Sequence, residues 1–396
     1  MEVLGAQRIR ELDARAIAGG TPGSELMERA GYGAYLFLRR VAAPRAERVL
    51  VVAGKGNNAG DAFVVAYYLL AAGRHVELCL LGRGEEMSRD AGEKWERIRG
   101  LQVCHCYAGD AEAVWGCVRR WHGDVIVDGV LGTGVRGELA PAYRAAIEAM
   151  NAHPAPVLAL DIPSGLDADT GEPHGVAVRA AWTVTFGHPK RGMMEAVARE
   201  YCGRIEVVDI GLEREGGEGG VKMLSSAEAG EMLPVRALDA HKHGCGHVLV
   251  VAGSRGMTGA AALCARAALA SGAGLVTLAV PEALVGLVAP VNPACMTLPV
   301  PDGGTGEFGP GGLRVVTEFL RRCRALAIGP GMGRSVVVGE FLRGLLKEVR
   351  VPTVVDADGL NYLAEAGEVM EWLRGGRYVL TPHPGEFERL SGNRPG

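Results

Sequence analysis

Polar residues that can do chemistry fall into four short segments in the first half of the chain. Each directly follows an apolar run: GKGNNAGDAF from Gly54, DGVLGTGVRGE from Asp128, DIPSGLDADTG from Asp161 and GHPKRGM from Gly187. Such runs predict buried strands of a parallel sheet, whose carboxyl ends share one edge where ligands bind. We therefore expect one site built from four loops.

The first segment has the spacing of a dinucleotide-binding turn. Gly54, Gly56 and Ala59 fit the pattern G-x-G-x-x-A, and Glu77 follows in the next apolar run. A dehydrogenase-like protein that binds a pyrophosphate is therefore one interpretation. Asp61 argues against it, because a carboxylate in the first helical turn repels phosphate from the positive end of the helix dipole.

The asparagines of this segment suggest a different ligand. Asn57 and Asn58 supply amide donors and acceptors beside the Asp61 carboxylate, and such groups suit sugar hydroxyls, a carboxamide or a cation. In the second segment, the glycines around Thr133 resemble an anion cradle, and Arg136 is available for a phosphate. Both segments predict a small-molecule ligand.

Two charged side chains are candidates for handling the substrate. Asp161 stands at the end of a buried strand and is our choice for an acid or base, although a lone aspartate there is more often a helix N-cap. Lys190 is a candidate for steering the substrate, with a solvated surface lysine as the commoner alternative. The convergence of four loops favours the functional role of Asp161.

Oxygen-bearing side chains in three of the segments suggest a cation site. Asn58, Asp128 and Ser164 each place an oxygen near the centre of the expected strand edge. Oxygen ligands select hard cations, and a single carboxylate among neutral oxygens suits a monovalent ion such as K⁺. The alternative is that Asp128 and Ser164 only cap loops and helices.

Alternating strands and helices must position these residues. Short apolar runs ending in glycine or acidic residues alternate with helical patterning, which predicts α/β structure with parallel sheets. A glycine-rich, charged stretch at residues 213–220 interrupts the series and predicts a linker between two three-layer αβα domains. The predicted strands are RVLVVAG, HVELCLLG, DVIVDGVLG, PVLALDIPSG, WTVTFGHPK, RIEVVDIG, GHVLVVAGS, GLVTLAVPE, RALAIGPGMG, PTVVDADGLN and RYVLTPHPGEF.

Composition narrows the class of protein. A hydrophobic fraction of 48% with 22% charged residues is that of a soluble globular protein. The net charge of −4 gives no electrostatic footprint for nucleic acid or an anionic membrane, and no apolar stretch reaches membrane-span length. The N-terminus has no signal-peptide pattern. We expect a cytoplasmic homo-oligomer.

Cysteines and histidines raise the question of zinc. The nine cysteines are odd in number and scattered, which favours a reducing compartment. Cys104 and Cys106 form a close pair, but no second pair follows at zinc spacing, so we expect thiols. In the second half, His241, His243 and His247 suggest a cluster, but a loop role is favoured.

The four segments, in this order and at these spacings, resemble the NAD(P)H-hydrate epimerase family. GKGNNAGDAF, DGVLGTG, LDIPSG and TVTFGHPKRG carry the likeness, which covers about residues 5–215. It implies a Rossmann-like doubly wound domain over residues 1–215 that interconverts R and S hydrated NADH and NADPH. Ala59 and Ala62 stand where glycine is common in the family, which should tighten the loop.

The resemblance also implies site residues. Asp161 would help the hydroxyl next to the ring nitrogen to leave and return by proton transfer, and Asn58, Asp128 and Ser164 would bind K⁺. The residues implied to contact the hydrated nucleotide are Asn57, Asn58, Ala59, Gly60, Asp61, Gly132, Thr133, Gly134, Val135, Arg136, Gly137, Glu138 and Asp161.

The second half resembles the NAD(P)H-hydrate dehydratase family, which has a ribokinase-like fold. The likeness is carried by HKHGCGHVLVVAGSRGMTG, AIGPGMG, VVDADGLN and LTPHPGEF, within a domain over residues 222–396. It implies dehydration of the S form at the expense of ADP or ATP, with Ala260, Gly331, Gly333 and His383 lining the site. A sugar or vitamin kinase of the same fold is the alternative.

Two further expectations concern this second domain. Asp356 and Asp358 either bind Mg²⁺ with phosphates or cap the helix near Leu360. In the family, a phosphate-anchoring lysine segment and a glycine-rich loop with an essential aspartate lie beyond HPGEF, where this chain has ERLSGNRPG. We therefore expect an incomplete domain with weak or no dehydratase activity, through truncation or because a partner supplies the rest.

Overall fold

The computed structural model describes two compact units. It covers residues 1–101, 104–213, 221–224, 226–235, 244–366, 373 and 376–394, and contacts divide the chain into Met1–Leu233 and Pro234–Gly396. Residues 221–223 pair with the N-terminal strand segment, where Val3 N donates to Val221 O. The domain limits of 1–215 and 222–396 stay a prediction, and most of the linker predicted at 213–220 lies outside the described residues.

The first unit is built on a seven-stranded parallel sheet with the order β3-β2-β1-β4-β5-β6-β7. The strands are β1 (Arg48–Ala53), β2 (His75–Leu80), β3 (Cys104–Tyr107), β4 (Val125–Gly129), β5 (Val157–Leu160), β6 (Trp182–Phe186) and β7 (Arg204–Val208). Because the strand order reverses between β1 and β4, the loops after these strands diverge and leave a crevice at the carboxyl edge.

Helices cover both faces of this sheet. They are α1 (Ala6–Ala18), α2 (Gly23–Phe37), α3 (Asn57–Ala71), α4 (Arg89–Arg99), α5 (Ala111–Arg120), α6 (Pro141–Ala152), α7 (Arg199–Cys202) and α8 (Ser226–Met232). Along β1, Val49 and Val51 pack into a core with residues of α1 to α4, whereas Leu50 and Val52 pack with α5 and α6. A strand buried on both faces explains the continuous apolar run RVLVVA.

The second unit repeats the architecture with a six-stranded parallel sheet of order β10-β9-β8-β11-β12-β13. Its strands are β8 (His247–Val251), β9 (Leu275–Pro281), β10 (Met296–Val300), β11 (Ala325–Ile328), β12 (Thr353–Val355) and β13 (Tyr378–Leu380). Its helices are α9 (Thr258–Ala270), α10 (Val285–Val288), α11 (Leu313–Leu320), α12 (Val336–Glu348), α13 (Asp358–Ala366) and α14 (Pro384–Ser391). Separate cores lie on its two faces.

The prediction of two three-layer α/β domains is confirmed, and every predicted strand is present. Two further strands, β3 and β10, were not predicted. Both lie at sheet edges, where a strand needs no continuous apolar run: His105 and Tyr107 of β3 are exposed, and β10 contains Pro299.

The expectation that Cys104 and Cys106 are thiols is wrong for Cys106. Cys106 of β3 and Cys117 of α5 form a disulfide. The pair escaped notice because Cys117 lies in a helix and the two cysteines match no metal or redox spacing. Among the described residues, no helix combines the length and apolar character needed to cross a membrane.

Candidate active site at the carboxyl edge of the first sheet

A cavity of about 600 Å³ opens at the carboxyl ends of β1, β4 and β5. Its wall combines the loops after these strands with side chains of α1 and α2, such as Asp13 and Met27. A cavity therefore lies at the sheet edge where the strand-end loops were expected to form one site. The predicted residues that line the cavity are Asn57, Asn58, Asp61, Gly132, Thr133, Gly134, Val135 and Asp161.

The remaining predicted residues of these loops lie outside the lining. Ala59 is fully buried on the inner side of α3, and a Cβ at Gly60 would collide with Met27 Sδ, so these small residues allow close packing of α3 against α2. Arg136, Gly137 and Glu138 are exposed beyond the cavity. Motif spacing alone could not separate residues that line a cavity from those that pack beneath or extend beyond it.

Asp161 occupies an unusual backbone conformation at the cavity. Its φ is +64°, in the left-handed region that costs a non-glycine residue about 1–3 kcal/mol. Hydrogen bonds on both sides hold this turn: Asp161 N donates to Val184 O and Ile162 N donates to Leu160 O, each at 2.7 Å. Strain held in this way is typical of residues whose side chain must be aimed at a ligand.

Lys190 is the ion-pair partner of Asp161. Its side chain is 1% exposed, and its Nζ donates to the Asp161 carboxylate and, at 2.7 Å, to Thr185 Oγ1. The commoner alternative of a solvated surface lysine is wrong for this residue. The N-terminal segment pairs with the backbone of Lys190 through an isolated β-bridge between Leu4 and Lys190. This contact joins residues far apart in the sequence, so local spacing could not predict it.

Two further carboxyl groups share the environment of this pair. Burial, the charge of Asp161 and that of Asp13 raise the pKa of Asp61 well above its ordinary value, and Lys190 opposes the shift. Burial and the charge of Asp161 also raise the pKa of Asp13. Sequence reasoning missed Asp13, because α1 lies outside the strand-end pattern and its carboxylate reaches the cavity only through helix packing.

The predicted cation ligands are brought together behind the cavity. Asp128 and Ser164 are completely buried; Ser164 Oγ donates to Asp128 Oδ1 at 2.6 Å and Ser164 N to Asp128 Oδ2 at 2.9 Å. Burial raises the pKa of Asp128 to about 6, against the lowering effect of hydrogen bonds from Ser164 and Val130. Asp128 therefore holds the two loops together, as the alternative of a loop cap supposed.

Asn58 is the member of this group that a capping role does not explain. Its Nδ2 donates to Leu131 O at 2.8 Å, whereas its Oδ1 is buried and has no hydrogen-bond partner within the part of the chain that the structure describes. Leu131 N in turn donates to Ser164 Oγ at 2.8 Å. A buried, unpaired oxygen is costly, and a cation held beside Asp128 would satisfy it, so the donor set fits a hard cation.

In the second unit, part of the predicted site converges at the switch point between β8 and β11. Gly331 has a φ of +64°, and a Cβ there would lie 2.9 Å from the Ala260 Cβ on α9. Gly333 N donates to Asp358 Oδ2 at 2.9 Å. Asp358 begins α13 and ties it to the glycine loop, so its carboxylate already has a structural partner.

The histidines of this unit have local roles. His383 is the N-cap of α14, and its Nδ1 accepts from Gly385 N at 3.1 Å and Glu386 N at 3.3 Å; among the described residues no hydrogen bond joins it to the glycine loop. His247 Nε2 is hydrogen-bonded to Thr277 Oγ1 at 2.8 Å. His241 and His243 lie outside the described residues.

Fold and site together define a doubly wound α/β protein with a ligand cavity at its topological switch point. Residues 23–192 match the family model described as the YjeF-related protein N-terminus, and residues 248–395 match the model described as NAD(P)H-hydrate dehydratase.

Individual relatives and one solved structure are similar to this chain. The bifunctional NAD(P)H-hydrate repair enzyme Nnr of Moorella thermoacetica is 39% identical over 87% of this chain and 66% of its own length. Nnr of Salinibacter ruber is 36% identical over 94% of this chain and 72% of its own length. The crystal structure of the ADP/ATP-dependent NAD(P)H-hydrate dehydratase from Bacillus subtilis, co-crystallised with ATP/Mg²⁺, is 28% identical with a TM-score of 0.34, over 43% of this chain and 56% of that structure.

The chain belongs to the family of bifunctional NAD(P)H-hydrate repair enzymes. It spans 66% of the length of the Moorella relative. The alternative of a dinucleotide-binding protein fused to a sugar or vitamin kinase is not favoured.

Proposed function

We propose that the first domain epimerises hydrated NADH and NADPH, interconverting their R and S forms. The observation that carries this proposal is the Asp161 carboxylate at the wall of the 600 Å³ cavity, paired with buried Lys190. A cavity of this size lies in the range of small-ligand sites. Asn57 and Asn58 are among the residues that line the cavity, and amide groups suit the carboxamide and sugar hydroxyls of the nucleotide.

The chemistry requires a proton donor and a proton acceptor. The ring hydroxyl leaves as water once it takes a proton, while the lone pair of the ring nitrogen forms a C=N bond. Water then adds to the opposite face and gives a proton to a carboxylate. Asp61, whose pKa is raised by burial, is the proposed donor, and Asp161, paired with Lys190, is the proposed acceptor.

Substrate contacts follow from the positions of the loops. Gly132 to Val135 form the cavity wall next to Asp161, and Arg136, exposed at the end of this loop, is available for a phosphate. Glycine at position 132 leaves room beside the carboxylate, since a Cβ there would lie 3.8 Å from Asp161 Oδ2. In this proposal the nicotinamide end lies in the cavity and the phosphates lie outside it.

We further propose that the first domain binds K⁺ through Asn58, Asp128 and Ser164. The unpaired Asn58 Oδ1 supports the site, and a single carboxylate among neutral oxygens suits a monovalent ion. The ion would fix the loops after β4 and β5, and so the position of Asp161. Cytoplasmic location and homo-oligomeric assembly stay predictions.

For the second domain we propose dehydration of S-hydrated NAD(P)H at the expense of ADP or ATP, with Mg²⁺ on the phosphates. Ala260, Gly331 and Gly333 meet at the switch point, which supports their role in binding the substrate, and His383 is kept as a proposed contact.

The decisive experiment starts from one epimer of hydrated NADH and follows the ratio of epimers by chromatography. The chain should equilibrate them, and Asp161→Asn should slow the rate by about a hundredfold or more. Asp209→Asn is the matched control, because Asp209 is exposed, follows β7 of the same sheet and accepts from Gly211 N. Equal rates for the wild type and Asp161→Asn would sink the proposal, as would hydride transfer with unmodified NAD.

A further inference from the structure

Three cysteines of the first domain meet outside the cavity. Cys79 on β2 and Cys106 on β3 are register partners in neighbouring parallel strands, so their side chains lie on the same face of the sheet. Cys117 of α5 packs onto that face, within the same core as Cys79. The three Sγ atoms all lie within 4.8 Å of one another.

The disulfide accounts for only two of these sulfurs. Cys106 and Cys117 form it, whereas Cys79 is a free cysteine that is completely buried beside it. A disulfide that only joins an edge strand to the helix covering it requires no third sulfur. The strand register and the helix nonetheless place all three at one point, which is the arrangement of a ligand set.

Distances and ligand type define which ion such a set would take. Zinc–sulfur bonds of about 2.3 Å separate tetrahedral ligands by about 3.8 Å, so sulfurs within 4.8 Å reach this spacing by small side-chain rotations. Thiolates select soft ions such as Zn²⁺ and Cu⁺ over Mg²⁺ or Ca²⁺. Three thiolates complete a trigonal Cu⁺ site, and Zn²⁺ would add one water.

We propose that reduced Cys79, Cys106 and Cys117 bind one thiophilic metal ion, and that the Cys106–Cys117 disulfide is the metal-free, oxidised form of the same site. In the oxidation, two thiolates pass two electrons to a small-molecule disulfide. The protein S–S bond forms, the S–S bond of the oxidant breaks into two thiolates, and the ion is released. This site is separate from the proposed epimerase residues and does not depend on them.

The test uses the full 396-residue chain, reduced with a phosphine and freed of reductant under nitrogen. Zn²⁺ is titrated against a chromophoric chelator, and Cu⁺ in a parallel arm, so that the two ions are distinguished. We expect one equivalent of at least one ion, and its release by oxidised glutathione. Cys79→Ser should weaken binding more than about a hundredfold, beyond the loss expected for an outer-shell change.

Two further variants keep the result interpretable. Cys117→Ser, at a half-buried helix position, should lose the ion as Cys79→Ser does, and thermal melts confirm that both are folded. Cys202→Ser is the matched control, because Cys202 is a buried free cysteine of the same domain away from the cluster. No binding by the reduced wild type, or equal binding by wild type, Cys79→Ser and Cys117→Ser, would overturn the proposal.

Discussion

Replacement of Lys190 by methionine tests the central ion pair of the proposed active site. The lysine is 1% exposed and the Asp161 side chain 19% exposed, so neither charge is well hydrated. Removal of one partner from a buried pair costs about 3–5 kcal/mol. In this variant the Asp161 carboxylate can regain some water from the cavity, so the cost should be near the lower end of that range. We therefore expect Lys190→Met to lower the free energy of unfolding by about 3 kcal/mol.

This loss is large enough to measure by thermal unfolding. For a domain of this size, each kcal/mol lowers the Tm by about 2–4 °C, so Lys190→Met should melt about 6–12 °C below the wild type. Asp161→Asn should also destabilise, since it removes the negative charge that balances the buried Lys190 ammonium group. The double variant Asp161→Asn/Lys190→Met should recover part of the loss, because it leaves neither charge of the pair buried without its partner.

Activity separates the catalytic role from the structural one. The double variant Asp161→Asn/Lys190→Met should be more stable than Lys190→Met, yet epimerise hydrated NADH about a hundredfold more slowly than the wild type or worse. A Tm for Lys190→Met within about 1 °C of the wild type would refute the argument from burial of the ion pair. It would instead support the interpretation of Lys190 as a solvated surface lysine. An active double variant would refute proton transfer by Asp161.

Three other perturbations test the remaining parts of the site. Replacing Na⁺ by K⁺ at constant ionic strength should raise the Tm of the wild type, and Asp128→Ala should abolish the effect; identical melts in both salts would exclude the ion. The folded pKa of Asp61 is raised, so its contribution to stability is present at low pH and is lost as the pH rises through that pKa. Asp61→Asn should therefore gain stability relative to the wild type as the pH rises above 3.8, and a pH-independent difference would contradict the shift. Gly132→Ala places a methyl group 3.8 Å from Asp161 Oδ2 and 3.6 Å from Asn58 Cβ. The KM for hydrated NADH should therefore rise about tenfold or more without loss of folding. An unchanged KM would show that the substrate does not bind beside Gly132.

The fold was predictable because burial leaves a strong local signal. Central strands such as β1 and β8 read as VLVVA because side chains on both faces are buried, and glycine turns mark their ends. Edge strands carry no such signal, which explains why β3 and β10 were missed. The proximity of Cys79, Cys106 and Cys117 depends on the register of an edge strand, and for that reason it was not predicted from the sequence either.

Only those features of the site that follow from the sheet topology could be predicted from the sequence. Parallel strands bring their carboxyl ends together, so Asn58, Asp128, Ser164 and Asp161 could be expected to converge before any distance was known. The burial of Lys190 depends on the chain terminus that bridges to it. Contacts of this kind are set by packing between distant segments, and local spacing does not encode them.

The ionisation of three carboxyl groups determines the charge of the cavity. Lys190 acts on both Asp61 and Asp13 and forms an ion pair with Asp161, and full ionisation of the three carboxyl groups would place several negative charges in a partly buried space. Burial of unbalanced charge is avoided by proton uptake. Burial raises the pKa of Asp61, the most deeply buried of the three. In the proposed reaction Asp61 is therefore the carboxyl group best suited to give a proton to the leaving hydroxyl, and Asp161, paired with Lys190, is the group placed to receive a proton from the returning water.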